Sequence, residues 1–277
     1  MSLSARVEEI QRGEPFVYLN RGFLDDAEVK LLAEALAGSE VEHLYLSDDH
    51  IKDAGAISIA AALPTATYLE SLILTENAIG ARGAQALADA LPRSSLTRLA
   101  MNYNNVGPEG ARALAAALRF CKLASVELEH NNLGNEGAAA IAAALATSNV
   151  TLLNLAYNRV GDEGAKAIAD ALPASKLNRM SLCDNEIGHE GMEALLRAIP
   201  RSTLVSFYVA RIGDENDALL EAAVARVPDA LARAKANRQL RAFEGAAARG
   251  RTTAAGNFVW SDGDTALGHR VASFLIG

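Results

Sequence analysis

The sequence predicts an α/β solenoid, a right-handed stack of strand–turn–helix units with a parallel sheet on its concave face and helices on its convex face. Three observations carry this reading. Asn77, Asn104, Asn131, Asn158 and Asn185 fall at one spacing of 27 residues. Gly83, Gly110, Gly137, Gly164 and Gly191 keep the same spacing, and so do Leu69, Leu96, Leu123, Val150, Leu177 and Leu204. A strict period in this range means one supersecondary unit stacked on itself, each copy burying a face that it cannot bury alone.

The unit from Leu69 to Ser95 shows each element in turn. Leu72 and Leu74 alternate with Ser71, Ile73 and Thr75, the period of a short strand with one buried face. Asn77 follows where the chain turns; its amide can serve donors and acceptors left by the turning backbone, and stacked copies can satisfy one another. Ile79 returns to the core. Gly80 and Gly83 are read as loosening the chain where a helix begins. From Ala84 the apolar spacing becomes Ala84, Leu87, Ala88, Leu91, the stripe of an amphipathic helix, and Pro92 stops it. Glu109, Glu136, Glu163 and Glu190, each just before its glycine, favour the positive end of a helix dipole. Helices are wider than the strand spacing of roughly 4.8 Å, so the stack must curve with its sheet inside.

This pattern, LxxLxLxxNxIGxxGAxALAxAL, resembles the leucine-rich repeat family, and specifically its ribonuclease-inhibitor-like class, which includes the arrays of NOD-like receptors, Ran GTPase-activating protein and bacterial GALA-type effectors. The resemblance covers residues 14–225, about eight repeats, with 1–13 as an N-terminal extension and 226–277 as a helical C-terminal cap or tail. The outer repeats drift: Asp49 stands for the turn Asn in the second, Gly22 in the first, and Ile212 lies near that place in the last. The resemblance implies a non-enzymatic protein-interaction module that binds a protein partner through its concave face, with no cofactor. Two alternatives stand beside it: regulation of a GTPase or other enzyme by docking, and a bacterial effector acting on host proteins.

Composition bounds these classes. A net charge of −8 argues against a nucleic-acid partner. Cys121 and Cys183 do not make a disulfide framework, so a reducing compartment is the default. The N-terminus lacks the apolar core of a secretory signal and no run reaches membrane-spanning length, which leaves a cytoplasmic protein, or one exported by a non-classical bacterial machine, with no membrane partner. Arg outnumbers Lys 20 to 6 and Ala is abundant, read as a GC-rich bacterial genome. A monomer is expected.

In this family the outward strand residues and the residue before the turn Asn line the concave face. Five of the six tyrosines fall there, all but Tyr68. Tyrosine offers large contact area and a polar tip at small entropic cost. The candidate partner-binding residues are Tyr18, Tyr45, Glu76, Arg98, Tyr103, Glu127, Glu129, His130, Tyr157, Arg179, Tyr208 and Arg211. Tyr103, His130 and Tyr157 occupy one column of three adjacent repeats, so their rings are expected to form a continuous patch, with Glu127 and Glu129 beside it.

Chemistry is weaker. Glu127 and Glu129 share a strand face about 7 Å apart, but no second His lies in the column, and an open sheet is expected to give too little desolvation to shift a pKa. His43, Asp48 and His50 with Ser47 lack the strained elbow of a nucleophile. No Walker loop is present, so no catalytic or metal residue is assigned. Beyond the repeats, 226–251 carries seven basic residues against Asp229 and Glu244, read as a solvated capping helix. A strand at 257–260 holding Trp260 and a final helix from about Asp264 to Ile276 complete the tail.

Overall fold

The computed structural model describes residues 3–19, 24–204, 206–209 and 273–275. A short helix, α1 (Leu3–Gln11), precedes the stack and packs on α2 (Asp26–Leu36). The strands are β1 (Phe16–Tyr18), β2 (His43–Tyr45), β3 (Ser71–Ile73), β4 (Arg98–Ala100), β5 (Ser125–Glu127), β6 (Leu152–Asn154), β7 (Arg179–Ser181) and β8 (Ser206–Tyr208). They alternate with α2, α3 (Asp53–Ala62), α4 (Ala81–Ala90), α5 (Gly107–Leu118), α6 (Gly134–Leu145), α7 (Asp162–Ala171) and α8 (His189–Ala198). The strands run parallel and in sequence order, each pairing with the next in the register that aligns equivalent repeat positions, such as Leu99 with Val126. This is the α/β solenoid the period predicts.

Between the sheet and the helix layer lies one continuous core. Leu72, Leu74, Ile79, Leu87 and Leu91 of the unit used above are all buried, as are their equivalents in the neighbouring copies. The α-helix ends before Pro92, as expected: α4 stops at Ala90 and the chain tightens into a 3-10 turn over Leu91–Arg93 with the proline near its start, where a missing N–H leaves no hydrogen bond unmade. The same turn follows α7 and α8 around Pro173 and Pro200.

The recurring asparagines lock the copies together. Asn158 donates through Nδ2 to the Leu128 carbonyl of the preceding repeat at 2.7 Å, and its Oδ1 accepts from the N–H of Asn131 at 2.9 Å. Asn185 repeats the pattern one unit later, donating to the Leu155 carbonyl at 2.8 Å and accepting from the N–H of Asn158 and of Val160 at 2.9 Å. Each amide therefore satisfies buried backbone groups that no strand ladder reaches.

The recurring glycines have a different cause from the one their sequence position suggests. Gly83, Gly110, Gly137, Gly164 and Gly191 lie within helical first turns. What they supply is space. A Cβ on Gly110 would meet Val106 Cγ1 at 2.6 Å and Ala84 Cβ at 3.0 Å, and one on Gly191 would meet Asp162 Oδ1 at 2.7 Å and Ala165 Cβ at 2.9 Å. The glycine lets each helix start abut the helix of the preceding repeat.

At the other end, Ser273–Leu275 forms β9, antiparallel to β8, with Phe207 opposite Phe274. The sequence reading places these residues in a terminal helix; pairing with the edge of β8, which would otherwise present an open row of backbone groups, overrides that local pattern. The expected strand at 257–260, the basic segment 226–251, Gly22 and Ile212 lie outside the described residues.

Candidate functional site

The sheet face turned away from the helices is built from four columns of side chains. Strand pairing aligns Phe16, His43, Ser71, Arg98, Ser125, Leu152 and Arg179 in the first column, and Tyr18, Tyr45, Ile73, Ala100, Glu127, Asn154, Ser181 and Tyr208 in the second. Backbone bonds continue the alignment past the strand ends: the N–H of Tyr103 donates to the Glu129 carbonyl, that of His130 to Ala156, and that of Tyr157 to Cys183.

The fourth column sits just before the turn asparagines and is left-handed throughout. Asp48, Glu76, Tyr103, His130, Tyr157 and Asp184 all have φ between 50 and 59°. Glycine and asparagine suit that conformation; a tyrosine or histidine is held there at a cost of roughly 1 kcal/mol or more. Three bulky rings nevertheless occupy it in succession. Tyr103 stacks on His130 with centroids 5.0 Å apart and planes at 17°, and His130 on Tyr157 at 6.0 Å and 26°. The continuous aromatic patch expected from the spacing is present.

Beneath the rings lies a polar layer that the sequence reading misjudges. Glu127 and Glu129 are not an exposed strand face; they are 1% and 4% exposed. Arg98 covers Glu127, donating through Nε and Nη2 to the same Oε1 at 2.9 Å, and Asn102 Nδ2 lies 3.4 Å from its Oε2. Glu129 accepts the Tyr103 hydroxyl at 2.9 Å and Asn154 Nδ2 at 3.0 Å. Burial pushes Glu129 above the ordinary carboxylate range, against the pull of those two donors. The sheet is thus closed enough to desolvate a carboxyl, contrary to expectation, because side chains from strands on either side lean over it. Ser71, Ile73 and Thr75 are buried on this face for the same reason. Glu127 and Glu129 act as supports that hold Arg98 and Tyr103 in place.

Burial also raises the phenols of Tyr103 and Tyr157. The carboxylate of Glu129 adds to the effect at Tyr103, and a hydrogen bond to Asp184 adds to it at Tyr157. Each ring is therefore anchored through its hydroxyl while part of its surface stays open: Tyr103 and His130 are exposed and Tyr157 half-buried.

A second aromatic group stands at the N-terminal end of the sheet. Phe16 stacks on His43 at 4.5 Å and Tyr18 on Tyr45 at 4.3 Å, with Phe16 and Tyr18 largely exposed. Tyr18 and Tyr45 are among the sequence candidates; Phe16 and His43 are not, although the column arithmetic that finds Tyr103 and Tyr157 aligns them equally well. Asp184, which holds Tyr157, is likewise missed. Glu76 is exposed, Arg179 and Tyr208 are half-buried on the same face, and Arg211 lies outside the described residues. Among the described residues no group of three or more His, Cys, Asp or Glu side chains is arranged to hold a metal ion, and no helix is long and apolar enough to cross a membrane. Cys121 and Cys183 are buried, and neither forms a disulfide among the described residues.

Four tandem segments, residues 65–88, 94–115, 121–142 and 148–169, match the family model described as Leucine Rich repeat. These four segments are leucine-rich repeats. A comparison with curated proteins finds no match. Among solved structures, the repeats are similar to leiomodin-1 actin-binding site 2, at 23% identity over 47% of this chain and 79% of that one, with a TM-score of 0.42. They are also similar to the tropomodulin C-terminal domain of Caenorhabditis elegans, at 13% identity over 62% and 91%, again with a TM-score of 0.42. Leucine-rich repeats of this kind support a protein-interaction module.

Proposed function

We propose that this protein is a non-enzymatic interaction module that binds a partner protein through the open face of its sheet, centred on Tyr103, His130 and Tyr157. One observation carries the reading. Three large rings occupy consecutive left-handed turn positions and stack on one another there, with the Tyr103 hydroxyl held by Glu129 and that of Tyr157 by Asp184. Residues kept in sparsely populated conformations cluster at binding sites, where the surrounding structure over-determines them. Rigid, pre-stacked tyrosines are also the side chains that dominate interface energetics. The period of 27 residues with a full helix in nearly every unit supports the ribonuclease-inhibitor-like class.

The test uses the whole chain and a Tyr103→Asn/Tyr157→Asn variant as baits in lysate, followed by calorimetry with each captured protein in purified form. Asparagine suits the left-handed backbone, so the variant keeps its fold, which circular dichroism checks. A partner bound by the native chain is expected to lose at least about tenfold in affinity to the variant. Equal affinity for both places binding elsewhere and rejects the proposal.

A further inference from the structure

The turn column reads Asp48, Glu76, Tyr103, His130, Tyr157, Asp184, so the aromatic run is bracketed by carboxylates on both sides. The charge beneath it is of the same sign. Glu129 sits under Tyr103, and the fields of Glu129, Glu76 and Asp184 all reach the Tyr103 hydroxyl. Arg98, the cation beside this layer, is committed to Glu127 through two of its nitrogens. Of the described residues on this face, Asp48, Glu76, Glu127, Glu129 and Asp184 stand against Arg98 and Arg179.

The stack also fixes which ring faces remain available. His130 has a ring on each side. The outer face of Tyr103 turns toward the repeat of Glu76, and the outer face of Tyr157 toward the repeat of Asp184. Each end of the stack therefore joins a π face to a carboxylate, the combination that holds a guanidinium or ammonium. Both phenols are engaged with carboxylates, so the ends of the stack offer acceptor surface.

Resting on the proposed interaction face, we infer that its ligand is a basic, extended peptide segment of the partner, with one Arg or Lys on the outer face of Tyr103 beside Glu76 and another on the outer face of Tyr157 beside Asp184. The spacing of the two cations follows from the sheet. Tyr103 and Tyr157 lie two strand intervals apart, with successive ring centroids at 5.0 and 6.0 Å, and a cation about 4 Å beyond each outer face puts the two charges about 19 Å apart. An extended chain covers that distance in about six residues. The recognised pattern is thus two cationic residues at i and i+6, lying across the strands.

The experiment measures fluorescence anisotropy of the full chain at low salt with short labelled Gly/Ser peptides. One carries arginine at two positions six residues apart, a second has citrulline at both, and a third has glutamate at both. The arginine peptide is expected to bind, the citrulline peptide at least about tenfold more weakly, and the glutamate peptide not at all. Glu76→Gln and Tyr103→Asn should each weaken arginine-peptide binding several-fold, while Glu163→Gln on the helix layer leaves it unchanged. Binding of the arginine peptide that survives Glu76→Gln and Tyr103→Asn overturns the inference. So does failure to bind any of the three. A citrulline or glutamate peptide that binds as well and is lost in Tyr103→Asn/Tyr157→Asn also overturns it, while leaving the interaction face intact. Peptide binding untouched by that double variant removes both.

Discussion

Glu76 and Tyr103 share one backbone conformation and differ in everything else, which makes them a matched pair for separating strain from contact. Glu76 is an exposed side chain at φ 55°, so Glu76→Asn is expected to raise stability by about 0.5 kcal/mol in urea titration, with no change in slope. Tyr103→Asn gains the same relief but loses the stack on His130 and the hydroxyl that Glu129 accepts. A buried carboxylate left short of a donor outweighs the relief, and the net change is a loss of about 1–2 kcal/mol. Glu129 also gives the face a pH dependence with a definite sign. Burial holds its pKa above the unfolded value of about 4.3, so its contribution to stability is complete below that pH and is lost as pH rises through the folded pKa. Glu129→Gln has no such proton to lose. Its melting temperature should therefore gain on that of the native chain between pH 4 and pH 7, and a constant difference across that range would contradict the burial argument. None of this was legible in the strand pattern, which turns Glu127 and Glu129 outward; their cover comes from Arg98, Asn102, Tyr103 and Asn154 on neighbouring strands.

Three helix starts in this fold, those of α4, α7 and α8, are capped from outside their own repeat. α4, α7 and α8 begin at glycines and have no side-chain cap of their own. Instead Asp53 Oδ1 accepts the N–H groups of Gly80 and Gly83 at 2.7 and 2.9 Å. Asn135 does the same for Gly161 and Gly164, and Asp162 for Gly188 and Gly191. The donors of one helix are thus satisfied by the first turn of the helix before it, which is possible because the glycine lets the two approach. Asp162→Ala is expected to cost about 1–2 kcal/mol in denaturant titration, felt in α8 rather than in α7 where the substitution lies. If hydrogen exchange quickened only in α7, the cap would be assigned wrongly. The glycines themselves were plain in the sequence because successive copies from Gly55 to Gly191 each have one. Their bridging partners were not: Asp53, Asn135 and Asp162 vary in kind, and nothing local says which neighbouring amide a first-turn side chain will reach.

At the scale of the whole molecule, the asparagine ladder from Asn77 to Asn185 ties each repeat to its neighbours. Asn131 Oδ1 accepts the Val106 N–H at 3.2 Å, and Nδ2 donates to the Met101 carbonyl at 2.8 Å, so Asn131→Ala unties the repeats on either side of one boundary. The expected result in native-state hydrogen exchange is faster exchange at Val106 and in α5 and α6, with α8 unchanged, as nearest-neighbour coupling requires. Uniform acceleration across the chain would mean that the stack melts as one body. At this scale the sequence was most informative, since stacked identical units repeat their pattern wherever they occur. It was least informative at the ends: β9 joins the sheet through contacts no period announces.

Because one junction is chemically like the next, the separation of the two aromatic groups on the face is a counted quantity rather than a shaped one. Phe16, Tyr18, His43 and Tyr45 stand on the first two strands and the Tyr103 stack begins on the fourth repeat, with the single repeat of Ser71–Glu76 between them. Duplication of that one repeat would carry its own asparagine, glycine and leucines and fit the same boundaries. It would move the two groups apart by one step of roughly 4.8 Å without disturbing either. The array is in that sense a ruler with fixed graduations, and its reach changes by whole marks.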